Sequence, residues 1–384
     1  MKKIIYFISI GILLAITNSC IEEFEAATEG FEDALVIEAK LTNELKNHQI
    51  TLSRTYTFED YVPTYESGAV IKIEASNNNT YSFTETGIGI YTSDVMFKAE
   101  PNLDYTLTIE TQDGKEYKSQ NTKLTNVTTI DDVYAEPAFN DDGEEGIGLY
   151  VDSFDADNAS KYYGYEFEET YKIIAPFWTP DDLILNSSGG FSVVPRSQEE
   201  QTCYQTIASQ GRILADTNLL EEDRISKFLI KFILSDDIRL NTRYSILVKQ
   251  YIQSRESYNY LKVLEEFSSS QSLLSQIQPG FLSSNIYSVN DSDEKVLGFF
   301  EVSSISEKRI FFDRTDILET SYPWVCNIID PPVDELKALV RLDRVSLIYQ
   351  KPGGEEGGPY DVVTRVCGDC TMSGSNIKPD FWVD

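Results

Sequence analysis

The feature that most restricts the fold of this chain is an alternation of apolar and polar residues in short, closely spaced segments. Residues 35–41 carry apolar side chains at every odd position, and residues 71–75 repeat the pattern. A period of two is typical of strands with one buried face. Asp113-Gly114 follows another such segment and indicates a tight hairpin. We therefore expect residues 33–127 to form an immunoglobulin-like antiparallel sandwich.

The rest of the chain, residues 128–384, continues the strand signal. Within residues 163–168, aromatic side chains alternate with glycine or glutamate, and residues 297–305 and 308–312 predict a hairpin. Ser254 is a good helix N-cap, and apolar residues at helical spacing follow it. The sequence thus predicts a mainly β fold, in which the first sandwich is joined to a larger β-rich domain with at least one packed helix.

The N-terminus has the pattern of a bacterial lipoprotein signal. Lys2 and Lys3 precede an apolar run over residues 4–16, which is too short to span a bilayer. A cysteine, Cys20, follows. A cysteine in this position is typical of a bacterial lipobox, so we expect residues 1–19 to be removed and Cys20 to be lipidated. Several acyl chains on one residue would anchor the protein firmly to outer-membrane lipid. The alternative is a plain secretory signal in which the cysteine is incidental.

The residues directly after Cys20 indicate which surface the protein occupies. Glu22 and Glu23 resemble the surface-export signal of lipoproteins in the Bacteroidota. We therefore expect a protein that is lipid-anchored in the outer membrane and exposed at the cell surface, with residues 20–32 as its tether. The alternative is that these residues form an acidic, solvated tether without a surface-export signal.

The charge of the chain excludes one class of partner. The sequence has 32 lysine and arginine residues against 63 aspartate and glutamate residues, a net charge of −31. Binding to nucleic acid requires clustered positive charge to neutralise phosphates, so we expect no nucleic-acid partner. We attribute the acidity mainly to solubility at the cell surface.

Four cysteines follow the signal: Cys203, Cys326, Cys367 and Cys370. Outside the cytoplasm, an even number indicates two disulfides, with three possible connectivities. Cys367 and Cys370 also form a C-x-x-C motif, for which a zinc site or a redox site is an alternative. The motif lies in a segment rich in glycine and serine rather than at the start of a helix, and no second C-x-x-C accompanies it. We therefore expect disulfides, without a metal or a cofactor.

The sequence offers no recognisable catalytic site. His48 is the single histidine, and no nucleophile motif accompanies it. The acidic run over residues 140–146 lacks the spacing of a calcium loop, so we interpret it as a solvated loop. Glu166 and Glu168 alternate with aromatic residues, as in a carbohydrate platform, but an exposed strand face explains the same pattern. We expect a protein that is not an enzyme.

Several segments, taken together in their order, resemble a known family. They are the strand-like segments 244–251, 296–303 and 308–312, the Cys-Gly-Asp-Cys motif at 367–370, and the C-terminal segment 374–382, which contains Lys-Pro-Asp-Phe-Trp. With the lipoprotein signal and the sandwich, they resemble the Bacteroidota family called domain of unknown function 4249. Such lipoproteins are often encoded beside TonB-dependent receptors. The resemblance therefore implies a transporter barrel as partner, and it carries no catalytic residues.

The C-terminus ends in Phe381 and Trp382, which would be costly to leave exposed. We expect them to dock on the second domain, and a disulfide at Cys367 or Cys370 would fix that docking. The alternative is an anchor for a partner barrel.

The leading functional hypothesis is a non-catalytic binding partner of a TonB-dependent transporter. Two alternatives remain open at this stage. One is a structural subunit of a larger outer-membrane assembly complex, and the other is a surface hydrolase of glycans or peptides.

Overall fold

The structure, a computed structural model, describes residues 34–55, 64–269, 284–319, 325–352 and 358–384. The signal, the tether, Cys20, Glu22 and Glu23 lie outside the described residues. The fold is mainly β, as the alternation predicts. No helix among the described residues is long and apolar enough to cross a membrane.

The first part of the chain forms short strands separated by tight turns. These are β1 (Leu35–Thr42), β2 (Gln49–Arg54), β3 (Thr64–Tyr65), β4 (Val70–Ala75), β5 (Thr80–Gly87), β6 (Ile90–Ser93), β7 (Asp104–Glu110), β8 (Glu116–Ser119) and β9 (Thr122–Lys123). The hairpin predicted at Asp113-Gly114 is confirmed, since β7 and β8 are antiparallel and Gly114 has a φ of 81°.

Longer strands follow. These are β10 (Ile130–Phe139), β11 (Glu145–Asp155), β12 (Tyr162–Ile174), β13 (Asp181–Leu185), β14 (Phe191–Pro195), β15 (Thr202–Ala208), β16 (Ile213–Asp216), β17 (Asp223–Leu234) and β18 (Arg243–Ile252).

The remaining elements mix helices with strands. These are α1 (Arg255–Ser269), β19 (Ile286–Ser288), β20 (Val296–Asp313), α2 (Val333–Arg341), β21 (Val345–Gln350), β22 (Tyr360–Thr364) and α3 (Arg365–Gly368). The prediction of a helix after Ser254 is confirmed, because the Ser254 hydroxyl accepts a hydrogen bond from the Ser257 amide at 3.0 Å.

One large sheet runs through both parts of the chain. Its strand order is β15-β12-β18-β20-β1-β2-β6-β5-β4-β7-β8-β19. The first core lies inside the part of the sheet that extends from β1 to β19, and apolar residues such as Ile37, Leu52 and Leu107 fill it. The second core lies where β12, β18 and β20 pack against a separate sheet of order β10-β11-β17. The two cores are thus sandwiches that share one continuous sheet.

The shared strand is β20, and here the predicted hairpin is wrong. Residues 296–313 form a single strand, which pairs parallel with β1 over residues 296–303 and antiparallel with β18 over residues 304–313. The segment between the two predicted strands, Ser306-Glu307, contains no glycine, proline or asparagine, so nothing there turns the chain. Because β20 spans both sandwiches, residues beyond 128 complete the first core.

The boundary expected between 33–127 and 128–384 therefore does not separate the two cores. Val296, Phe300 and Val302 of β20, together with Ile286 of β19, are buried in the first core. The chain leaves the first sandwich after β9, builds the second, and then returns. The alternation of apolar and polar residues does not predict this return, because β1 and β20 pair although they are about 260 residues apart in the sequence.

A third, smaller core is separate from the cores of the two sandwiches. The hairpins β13–β14 and β21–β22 enclose it with α2, whose Leu336 is fully buried. Two disulfides, Cys203–Cys370 and Cys326–Cys367, join this region to β15 and to the C-terminal segment.

Candidate functional site

A cleft opens on the shared strands at the junction of the two sandwiches. Its volume is about 730 Å³. It is bounded by β1, by the N-terminal half of β20, by α1 and by residues 209–212. We call this space the cleft.

The pleat of β1 explains which side chains face the cleft. Ile37, Ala39 and Leu41 are buried in the first core, so the alternate residues project from the opposite face. Three of these, Val36, Glu38 and Lys40, line the cleft. The same alternation that builds the sandwich therefore places two charged side chains side by side in the cleft.

Gly298 lets the walls of the cleft approach one another. Its φ is 116°, and a Cβ atom at this position would lie 2.0 Å from the Ile37 carbonyl oxygen. Its amide donates a hydrogen bond to the Tyr260 hydroxyl at 2.8 Å, which fixes α1 against β20. A glycine is required here, because any side chain would force β1 and β20 apart.

Charged side chains from neighbouring strands of the large sheet meet at one end of the cleft. Glu166 lies on β12, Tyr251 on β18, Glu301 on β20 and Lys40 on β1, and Arg212 reaches them from the residues before β16. We call these five residues the charged cluster. Lys40 and Glu301 are direct partners in the parallel register.

Arg212 is the centre of the charged cluster. Its Nη1 donates to both carboxylate oxygens of Glu301, at 2.8 and 2.9 Å, and its Nη2 donates to Glu166 Oε1 at 3.1 Å. The guanidinium also stacks on the Tyr251 ring, with Cζ 4.1 Å from the ring centroid. Gly164 provides the space, because a Cβ atom there would lie 2.2 Å from Arg212 Cδ.

Glu166 is held in its ionised form. Burial favours the neutral acid, but Lys40 and Arg212 outweigh it and lower the pKa of Glu166 to about 2. Lys40 Nζ lies 2.9 Å from Glu166 Oε1, and the Tyr251 hydroxyl donates to Oε2 at 3.0 Å. Burial, together with the charge of Arg212, lowers the pKa of Lys40, and burial beside Glu166 raises the pKa of the Tyr251 hydroxyl. The cluster is therefore a network of paired charges near neutral pH.

The other end of the cleft is apolar. Leu261 and Leu264 of α1 line the cleft together with Leu297 and Phe299 of β20. The rings of Tyr260 and Phe299 lie 5.4 Å apart. Leu264 remains 45% exposed, which leaves an apolar surface open to a ligand. The cleft can thus contact a ligand that has a charged part and an apolar part.

The single histidine has a place in the first sandwich, away from the cleft. His48 is buried, and its Nε2 lies 2.9 Å from the Phe97 carbonyl oxygen. Burial lowers the pKa of the imidazole. The imidazole packs edge-on against the Phe97 ring, so His48 is part of the packed interior of the first sandwich.

The two glutamates of β12 that the sequence singled out belong to different surroundings. Glu166 lies in the charged cluster, whereas Glu168 pairs with Arg309 at 3.1 Å, further along the same face. Sequence reasoning did not identify Lys40, Arg212 or Glu301. No local motif marks them, because strands far apart in the sequence bring them together.

The four cysteines form two disulfides, as the sequence predicts. The connectivity is Cys203–Cys370 and Cys326–Cys367, so the two cysteines of the C-x-x-C motif bind different partners. All four sulfurs are therefore used in disulfides rather than in a zinc or redox site. Among the described residues, no group of three or more histidine, cysteine, aspartate or glutamate side chains could hold a metal.

The C-terminal aromatic residues lie on the outer face of the second sandwich. Trp382 is 4% exposed and packs between the rings of Tyr204 and Phe311, at 5.0 and 5.6 Å. Phe381 is 37% exposed and lies under the Arg309 guanidinium, 3.7 Å from Cζ. Both residues thus contact the second sandwich, and Phe381 retains an open surface.

The acidic loop over residues 140–146 is organised by its own side chains. Asn140 Oδ1 accepts hydrogen bonds from the amides of Asp142 and Glu144, at 3.1 and 2.8 Å. Gly143 takes a positive φ of 79° in this turn. The loop is therefore a tight turn closed by an asparagine side chain.

The fold is a β protein of two sandwiches that share one sheet, and comparison with known families gives the same assignment as the sequence motifs. The family model described as domain of unknown function (DUF4249) matches residues 21–309. The match covers well over half of the chain, so the protein belongs to this family. The match ends within β20, so the disulfide-linked C-terminal segment lies beyond it. A search of curated proteins finds no match to the chain.

Proposed function

We propose that this protein is a lipid-anchored binding protein of the outer-membrane surface, which works with a TonB-dependent transporter and has no catalytic activity of its own. The observation that carries this proposal is the cleft of about 730 Å³ between the two sandwiches. Its volume suits a small molecule or a short peptide, and a preformed cavity with apolar walls and a few polar groups is the usual form of a ligand site.

The floor of the cleft supports binding because it is rigid. β1 pairs with β20 along its whole length, from Leu35↔Val296 to Thr42↔Ser303. The helix that forms the opposite wall is held to β20 by the hydrogen bond between Gly298 and Tyr260. A ligand that enters such a site does not have to order the protein, so less binding free energy is lost.

The electrostatics of the charged cluster favour binding over hydrolysis. A glycosidase with two carboxyl groups needs one of them protonated, to act as the general acid. The pKa of Glu166 is lowered to about 2, so this carboxylate cannot donate a proton near neutral pH. The Arg212 guanidinium engages both oxygens of Glu301. These two carboxylates therefore serve to position charges in the cleft.

The proposed location rests on the N-terminal sequence. Cys20 is the lipidated residue, and Glu22 and Glu23 direct the protein to the outer surface. A Cys20→Ala variant should lose its membrane association on fractionation of cells. Replacement of Glu22 and Glu23 by glutamine should protect the protein from protease added to intact cells. Membrane association of Cys20→Ala, or unchanged protease sensitivity of the glutamine variant, would contradict these two assignments.

The proposed partnership follows from the family, whose lipoproteins are often encoded beside TonB-dependent receptors. A surface binding protein beside a transporter barrel can capture cargo and release it to the barrel. In this arrangement, the cleft at the junction of the two sandwiches would bind the cargo without catalysing a reaction.

Affinity purification of the full-length lipoprotein from gently solubilised outer membranes tests the partnership. Identification of the copurified proteins by mass spectrometry should find a TonB-dependent barrel in stoichiometric amount. Purification as a lone monomer would overturn the stable complex. Recovery with barrel-assembly proteins would instead favour the structural subunit.

A further inference from the structure

The cleft contains one carboxylate that the charged cluster does not use. Glu38 lies on β1, two residues before Lys40, and its side chain is exposed in the cleft. Within the described parts of the chain, this carboxylate has no hydrogen-bond or ion-pair partner. In contrast, Glu166 and Glu301 are both bound by Arg212. Glu38 is therefore free to pair with a ligand.

Two aromatic side chains, Phe299 and Tyr260, lie near the free carboxylate. Phe299 is the partner of Glu38 in the parallel register between β1 and β20. The Tyr260 ring packs on Phe299, with 5.4 Å between centroids. Burial raises the pKa of the Tyr260 hydroxyl, and the negative charge of Glu38 adds to the rise, which places the two side chains within electrostatic reach. A carboxylate beside aromatic faces is a favourable environment for a cation.

The balance of charge in the cleft also favours a cationic ligand. Among the described residues, the lining contains three carboxylates, those of Glu38, Glu166 and Glu301, and two cations, Lys40 and Arg212. Both cations already contact Glu166. The unbalanced charge is therefore negative, and it lies at Glu38, next to the apolar wall.

We propose that the cleft binds a ligand in which a primary ammonium group is joined to an apolar body. The ammonium pairs with Glu38 over the rings of Tyr260 and Phe299, and the body packs against Leu261 and Leu264. This inference rests on the proposed function, since it names the ligand chemistry of the same cleft. Two sources supply this chemistry, the free amino terminus of a short apolar peptide and a simple alkylamine.

Isothermal titration of the folded protein with matched probes tests the proposal. The probes are tri-leucine amide, its N-acetylated form, and hexylamine. The free amino terminus should strengthen binding of the peptide roughly three- to tenfold over the acetylated form, as expected for one charge pair with aromatic support. Tighter binding of hexylamine than of the peptide would identify a small amine as the source, and the reverse order would identify a peptide terminus.

Two variants locate the effect. In Glu38→Gln the preference for the free amino terminus should disappear, whereas Glu110→Gln, at an exposed position on β7 outside the cleft, should keep it. Equal binding of the acetylated and free peptides by the unmodified protein would overturn the ammonium assignment while leaving the cleft as a ligand site. Absence of binding by all three probes would overturn the ammonium assignment and remove its support from the proposed function.

Discussion

Replacement of Arg212 tests whether the charged cluster is a buried network on which the junction of the two sandwiches depends. The Arg212 side chain is 6% exposed and that of Glu301 is 9% exposed. In Arg212→Met, Glu166 keeps Lys40 and the Tyr251 hydroxyl as partners. Glu301 loses both of its hydrogen bonds from the guanidinium.

The expected cost follows from the charge that is left without a partner. Removal of one member of a buried ion pair destabilises a protein by about 3–5 kcal/mol, because the other charge remains desolvated and unpaired. Glu301 is the residue so affected, and we expect the free energy of unfolding to fall by roughly 3–4 kcal/mol. A second substitution, Glu301→Leu, removes the unpaired charge and should restore all but about 1–2 kcal/mol of the loss.

Urea unfolding, followed by tryptophan fluorescence, measures these differences. Arg224→Met is the matched control, because Arg224 pairs with Glu222 at 3.1 Å on an exposed surface. We expect the control to cost less than about 1 kcal/mol. An equal effect of Arg212→Met and Arg224→Met would refute the buried network. A double variant as unstable as Arg212→Met would show that the cost does not come from Glu301.

Three further predictions concern stability. Folding lowers the pKa of Glu166 from 4.5 to about 2, so the ionised carboxylate contributes up to roughly 3 kcal/mol to the free energy of unfolding above pH 4.5, and this contribution is lost as the pH falls toward 2. In urea unfolding measured between pH 2 and pH 5, the free energy of unfolding of Glu166→Gln should therefore fall less steeply with decreasing pH than that of the unmodified protein. Gly298→Ala should destabilise by roughly 3 kcal/mol or more, because its Cβ would meet the Ile37 carbonyl oxygen; a melting temperature equal to that of the unmodified protein would contradict this. Loss of the Cys203–Cys370 disulfide in Cys370→Ser, which removes a link between residues 167 apart, should cost about 2–4 kcal/mol; unchanged urea unfolding would refute it.

The fold class was predictable because strand alternation is a local signal. Residues 35–41 and 71–75 alternate as expected and form β1 and β4. The failure at β20 has a physical reason. The prediction placed a break between residues 305 and 308, but β20 continues because β1 and β18 supply partners for its two halves. Partners of this kind are set by tertiary structure, which the segment itself does not encode.

The cleft was less predictable than the fold. Glu166 stood out because aromatic residues flank it, but the residues that surround it in space come from distant strands. Lys40 and Glu301 face each other only because β1 pairs parallel with β20. Arg212 lies next to a glycine in a polar segment, and its role depends on the space above Gly164. None of these residues has a motif that a sequence pattern could recognise.

The measurement that tests the central claim most directly is ligand binding by a variant in which the cleft is filled. Gly211 lines the cleft, and a Cβ atom there would have no described atom within 4 Å, so a side chain at this position starts in open space. We predict that Gly211→Trp abolishes binding of tri-leucine amide, while Gly211→Ala binds as the unmodified protein does and both variants unfold at the same urea concentration. Undiminished binding by Gly211→Trp would place the ligand elsewhere and contradict the assignment of the cleft.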